Sequence, residues 1–263
     1  MIKRELKSSY KSLLIWIGVT ALLFLVVYLI YPLILSSMPP EKLKEMIDMF
    51  PEEMIKTFNM DLSSIESVYG WLKSEGFVFM ILIIGAYSAI LGSNILLKEE
   101  NDKTIEYLGV MPLTRTRIVL EKCLVGVINI LAFTLIIMLF NYVGLTLSES
   151  FDQKEFIIIS LSTIMPSLAL YFICLFISTF TNKTKKMLGV SLGIVFISYA
   201  FNTIATLSKE AEFLKYFSVF TLSPIRDIMQ NNANGIICII VTVAICLSML
   251  LLTITRYNKK ELL

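Results

Sequence analysis

The sequence predicts an all-α, polytopic membrane protein with six transmembrane helices, and three observations predict it. Hydrophobic residues make up 56% of the chain and charged residues only 17%, against roughly a quarter charged in ordinary soluble domains. The charges avoid six runs, each long enough for the roughly 30 Å hydrocarbon core: Lys11 to Glu41, Glu75 to Lys98, Lys122 to Glu149, Glu155 to Lys183, Lys186 to Lys209 and Asp227 to Arg256. Apolar content within these runs is continuous and lacks period-2 alternation, so helices that satisfy their own backbone groups are the spanning elements and a β-barrel is set aside.

One transmembrane domain, 1–263, accommodates the whole chain. Residues 1–12 place Ile2, Leu6 and Tyr10 on one helical face and Lys3, Arg4, Lys7 and Lys11 around the other. That pattern fits an N-terminal interfacial amphipathic helix as well as a plain basic membrane-proximal segment. The first span, about 13–35, exceeds the roughly 7–15 apolar residues of a signal core and is read as retained. An outer loop, 36–75, follows. In it Leu43, Met46, Ile47 and Phe50, then Met54, Ile55 and Phe58 beyond Pro51, predict two short amphipathic helices that cover hydrophobic ends of the bundle or gate it.

The remaining spans fall at about 76–97, 123–147, 156–180, 187–207 and 236–255, with an outer re-entrant segment at 208–235 that ends in the turn-rich Asn231–Gly235. Pro32 and Pro166 predict bends in the first and fourth spans. Gly189 and Gly193 form a Gly-x-x-x-Gly in the fifth, which permits close approach of another helix, in this chain or in a second copy.

Basic residues set the orientation. The segments 1–11, 98–122, 183–186 and 256–263 carry 15 Lys and Arg against 7 acids, whereas the opposite connections carry 8 against 14. The positive-inside bias therefore predicts that both termini are cytoplasmic. The overall charge of +2 follows from topology and gives no reason to expect nucleic acid. Cys123, Cys174, Cys238 and Cys246 fall in or at the edges of spans, where a thiol behaves as a small apolar group, so neither disulfide nor metal is expected. The chain has no histidine, which removes histidine-dependent triads and zinc-protease motifs.

The loop 98–122 is dense in charge without being low-complexity. Thr104 to Val110 reads as a short helix with Ile105, Leu108 and Tyr107 available for packing, Pro112 ends it, and Thr114 can cap the helix that leads into the third span. A short, charged, capped helix is a docking element. Here the sequence resembles the permease subunits of type-2 ABC exporters, including the drug, lantibiotic-immunity and amphipathic-peptide exporters of Gram-positive bacteria. Their loop after the second span commonly reads Glu, then Gly-Thr-Leu-Glu, two or three apolar residues, Pro-Val-Ser-Arg and a later Lys. The match runs through Glu100, Thr104, Glu106, Leu108, Pro112, Thr114, Arg115 and Lys122, and departs at Lys103, where Gly is usual.

The resemblance implies a coupling helix over residues 99–108 seated in a groove of an ATPase, with Glu99, Glu100, Thr104, Ile105, Glu106, Tyr107, Leu108, Pro112 and Arg115 as the coupling residues. It implies two copies of a partner ABC ATPase, a second permease subunit, identical or related, and a bacterial cell membrane. The chain itself has no Gly-x-x-x-x-Gly-Lys-Ser/Thr pattern, so it is expected to bind no cofactor and to be no enzyme, with ATP and Mg²⁺ held by the partner. Spans without charge disfavour an ion-coupled transporter and an intramembrane protease. An uncharged pathway walled by Phe, Tyr and Met suits amphipathic or lipophilic cargo, and among resembling systems export of phenol-soluble-modulin-like peptides or lipophilic antimicrobials is the leading expectation. Export of ions or other small solutes, and a non-transporting immunity or scaffold role, are the alternatives.

Overall fold

A computed structural model describes residues 2–37, 49, 67–101, 114–223 and 233–260. Within them are six helices apolar and long enough to cross a membrane, and no strands. Helix α1, Ile2–Ser37, contains 36 residues and so extends roughly 54 Å, well beyond one hydrocarbon core. Residues 2–12, expected from the sequence as an interfacial segment, are helical and run unbroken into the span. No glycine or proline interrupts them, and inward bonds from Glu5 and Ser9 hold them against the bundle. The amphipathic stripes between Leu43 and Phe58 lie outside the described residues.

Helix α2 begins earlier than the charge pattern implied. It comprises Val68–Trp71 and Phe77–Asn101, joined by a π turn at Leu72–Gly76. Ser67 caps it, accepting from the Gly70 N–H at 2.8 Å. Gly76 closes the π turn because a Cβ there would meet the Leu72 side chain at 2.9 Å and the Trp71 ring at 3.0 Å. Helix α3, Arg115–Ser148, starts on Thr114, whose hydroxyl accepts from the Arg117 N–H at 3.3 Å.

Helix α4 is in two parts, Gln153–Ser162 and Ile164–Ser178, hinged at Thr163. The hinge lies three residues before Pro166, which has no N–H for the Ser162 carbonyl and whose ring crowds it. Pro32 leaves α1 helical throughout. Helix α5, Thr184–Leu207, is followed by 3₁₀ turns at Lys209–Phe217 and Val219–Leu222, and α6, Ala233–Lys259, completes the bundle.

Burial divides these helices sharply. In α2 and α4, 56% and 61% of the most apolar window is buried inside the chain, but in α1 and α6 only 11% is. The centre is therefore α2 against α4, with α3 beside them. Phe24, Tyr87, Phe133, Ile137 and Phe156 form one core cluster, and Leu96, Val119, Cys123, Tyr171 and Leu175 form another. The turns after α5 fold back into the bundle. Ser218 donates to the Ser198 carbonyl at 2.7 Å, the Val219 N–H donates to the Ser198 hydroxyl at 2.8 Å, and Phe220 is buried against Gly85 and Leu170.

Polar side chains inside the bundle mostly bond their own helix one turn back, as Ser88, Thr134 and Thr253 do to Ile84, Ile130 and Met249. Three of the four membrane asparagines tie segments together. Asn129 donates to Ser9 at 3.0 Å, Asn141 accepts from Tyr28 at 3.0 Å, and Asn202 accepts from Thr221 at 3.5 Å. Such bonds between membrane helices contribute about 0.6 kcal/mol each on average.

Candidate functional site: the base of the charged loop

The start of α1, the end of α2, the start of α3 and the end of α6 meet at one end of the bundle, here called the basic end. Asn101, which ends α2, and Thr114, which caps α3, both lie there. Lys122 stands two turns into α3 and is 1% exposed. An ammonium so placed must be fully answered. Its three donors reach both oxygens of the Glu99 carboxylate at 2.6 Å and the Ile95 carbonyl at 2.8 Å. Glu5 of α1 lies 3.5 Å away on the other side. Arg4 completes the group, 3.5 Å from Glu5 and 3.9 Å from Glu99. Two acids and two bases from three helices thus balance at the last turn before the loop.

The far stem of the loop is held differently. Arg115, the first residue of α3, donates from one guanidinium nitrogen to the carbonyls of Lys260 at 2.7 Å, Asn258 at 3.3 Å and Tyr257 at 3.4 Å. They lie at the C-terminus of α6, where helix carbonyls run out of intrahelical donors and a cation is favourable, although the Tyr257 carbonyl also accepts from the Lys260 N–H at 3.3 Å. The Asn258 amide adds a bond to Thr116 at 3.2 Å, and Lys260 reaches the Thr181 carbonyl after α4 at 3.1 Å. Both stems are thereby fastened, one to α1 through Glu99 and Lys122, the other to α6 through Arg115.

The coupling residues expected from the sequence are placed as follows. Glu99 is buried, 6% exposed, with its carboxylate turned to Lys122. Glu100 lies in the last turn of α2. Arg115 is at the α6 terminus. Thr104, Ile105, Glu106, Tyr107, Leu108 and Pro112 lie outside the described residues. Gly189 and Gly193 face open space: a Cβ on either would meet nothing within 4 Å. Close approaches between helices are instead at Gly92, Gly126 and Gly144, where a Cβ would fall under 3.0 Å from the Tyr171 carbonyl, the Tyr171 phenol and the Tyr28 ring respectively. The meeting of Glu5 and Lys122 was not anticipated. Its only signal in the sequence is a lone acid within the basic N-terminal segment.

Six apolar helices, with the residues that flank the segment 102–113 fastened at their basic end, are the frame of a membrane component. The model of the ABC-2 family transporter proteins matches residues 1–262. The chain belongs to this family. It is therefore a multi-pass membrane permease of the ABC-2 type, the component of an ABC transporter that associates with an ABC ATPase. No curated protein and no solved structure matches it.

Proposed function

We propose that this ABC-2 permease exports amphipathic peptides of the phenol-soluble-modulin kind, or lipophilic antimicrobials, across a bacterial plasma membrane by alternating access, driven through the loop 98–122. The excess of basic residues at the loop end supports a cytoplasmic placement of that end and of both termini. Two ATPase subunits would supply ATP and Mg²⁺ chemistry, and a second permease, identical or related, would supply the other half of the pathway.

The observation that carries the coupling role is the double fastening of the loop. A docked segment transmits work only if its stems resist displacement. Here one stem ends on a buried ion cluster and the other on the terminus of α6. A push on the loop would be carried to α1 and α6, the two least buried helices. These are the elements free to move as bodies against the α2–α4 centre, which is the kind of rocking that alternating access needs. Glu106, Tyr107 and Leu108 would make the contact itself, with Glu99 and Arg115 holding the stems.

The choice of cargo rests on the walls. No ion pair is found within the inner stretches of the described spans, and the large residues there are aromatic and aliphatic. Such a pathway penalises a naked ion and accepts apolar surface.

The test uses the permease reconstituted with its ATPase in vesicles. Glu106→Arg is expected to leave the melting temperature unchanged and to abolish stimulation of ATP hydrolysis by an amphipathic α-helical peptide. Undiminished stimulation would remove the coupling assignment. Stimulation by a sugar polymer or an ion, with none by any amphipathic peptide, would remove the substrate assignment and leave the coupling role standing.

A further inference from the structure

A cavity of about 180 Å³ opens between α1 and α2 at the basic end, beside the ion cluster. Its polar wall includes Glu5, Ser8 and Ser12 of α1 and Tyr87, Asn94 and Lys98 of α2. Of the six buried side-chain oxygens that lack a hydrogen-bond partner among the described residues, two line this cavity. The Tyr87 hydroxyl and the Asn94 carbonyl oxygen are buried and have no hydrogen-bond partner among the described residues. Tyr87 is 2% exposed, and its ring is held by Trp16 and Phe133, with centroids at 5.9 and 5.0 Å. Asn129 and Asn141, by contrast, are bonded to neighbouring helices. Leaving a donor and an acceptor unpaired at membrane depth is costly, so the arrangement asks for a ligand that supplies both.

The charge at the mouth narrows the ligand. Lys98 donates to the Ser8 hydroxyl and makes no ion pair among the described residues. The nearby carboxylates are already answered, Glu5 by Arg4 and Lys122, and Glu99 by Lys122. An anion is therefore favoured beside Lys98, and a second ammonium is not. Size narrows it further. Sites that enclose a whole small molecule occupy about 300–1,000 Å³, so this cavity admits a headgroup and leaves the rest outside. One turn beyond Ser12 on the same face of α1 stands exposed Ile15, an apolar surface suited to acyl chains.

We propose that the cavity between α1 and α2 binds the head of an anionic, hydroxyl-bearing phospholipid of the phosphatidylglycerol class, taken from the leaflet at the basic end. The phosphate rests on Lys98 and Ser8. Head hydroxyls donate to Asn94, and ester or phosphate oxygens accept from Tyr87 and Ser12. The bound lipid would wedge α1 against α2 next to the clamped loop. The assignment needs neither the proposed cargo nor the proposed orientation.

The test is native mass spectrometry of the full chain released from nanodiscs containing equal phosphatidylglycerol and phosphatidylethanolamine. Wild type should retain phosphatidylglycerol in preference by about fivefold, the effect of one lysine near an anionic headgroup. Lys98→Gln should lose the preference. Ser12→Leu, which fills the cavity from an exposed position without touching the core, should lower retention of both lipids. Tyr87→Phe combined with Asn94→Leu should lower retention while Lys98 is still present. Circular dichroism melting identifies any variant that has unfolded, and Ser12→Leu keeps the test decisive if Lys98→Gln does. Equal retention of the two lipids by wild type, or retention unchanged in Ser12→Leu and Lys98→Gln, would overturn the proposal. Binding of sn-glycerol 3-phosphate as strong as that of the lipid would reassign the cavity to a soluble phosphate.

Discussion

The two ends of the bundle are held together by different physics. At the basic end, α1, α2 and α3 converge on Lys122, which is 1% exposed and shared by Glu99 and Glu5. At the opposite end aromatic rings join α1 to α2 and α3 to α4. Trp71 touches Phe24, Tyr31 and Phe79, with centroids 6.1–6.3 Å apart, and Tyr142, Phe151 and Phe156 form a second group. The ionic contacts there lie near the surface, as in Lys73 with Glu155 at 2.7 Å and the Tyr69 phenol donating to Glu155 at 2.9 Å. A buried ion cluster is directional and tolerates little displacement, whereas ring contacts of ~0.5–1.5 kcal/mol each can slide and re-form. The comparison implies that the helices pivot about the loop end and splay at the other.

The largest effect should come from breaking the cluster one charge at a time. Lys122→Met leaves Glu99 and Glu5 buried beside each other with only the half-exposed Arg4 as a cation, and the expected loss is about 3–5 kcal/mol of stability, read as a fall in melting temperature in detergent. Adding Glu99→Gln should restore part of it by removing the stranded charge. A double variant no better than Lys122→Met alone would mean that Lys122 acts by packing its stem, and the contrast between the ends would fail. At the aromatic end Trp71→Leu removes three ring contacts and is expected to cost about 1.5–4.5 kcal/mol on the same per-pair scale. It should also loosen cysteine cross-links placed at that end before any at the basic end.

The close approaches offer a finer test. Gly126→Ala directs a methyl at the buried Tyr171 phenol, and overpacking of this kind costs about 1–3 kcal/mol. The effect should appear as a lower melting temperature with the loop contacts unchanged. Gly92→Ala, which meets main chain rather than a ring, should be at least as damaging.

How much of this was legible in the sequence depends on whether the signal was local. The six spans follow from uncharged length, the hinge at Thr163 from Pro166, and the cap on α3 from Thr114. Lys122 and Glu99, in contrast, read as charges flanking apolar runs and, by resemblance, as residues of the coupling loop. That they meet each other and Glu5 is decided by how α1 packs on α3, which no spacing along the chain encodes. The π turn shifted the start of α2 for the same reason. Lys73 and Glu75 looked like loop charges, yet Lys73 reaches Glu155 from a helix already under way. In the loop itself the motif from Glu100 to Arg115 was legible only by resemblance.

The smallest expected effect on the single chain is the most informative about what lies beyond it. Gly189 and Gly193 carry the one Gly-x-x-x-Gly of the spans, but a Cβ on either meets nothing within 4 Å, while unremarkable Gly92, Gly126 and Gly144 make tight contacts. Spacing alone therefore singled out the pair that this bundle does not use. Gly189→Ala together with Gly193→Ala should leave the melting temperature of the isolated chain unchanged or slightly raised, since alanine is favoured over glycine in a helix by ~1 kcal/mol. If the face of α5 is where a second permease packs, the same substitutions should reduce cross-linking between single cysteines placed at Val190 or Phe196, both exposed. Intact cross-linking would place the pairing on the exposed faces of α1 or α6 instead, and would make the elements that move against the centre also the elements that meet the partner.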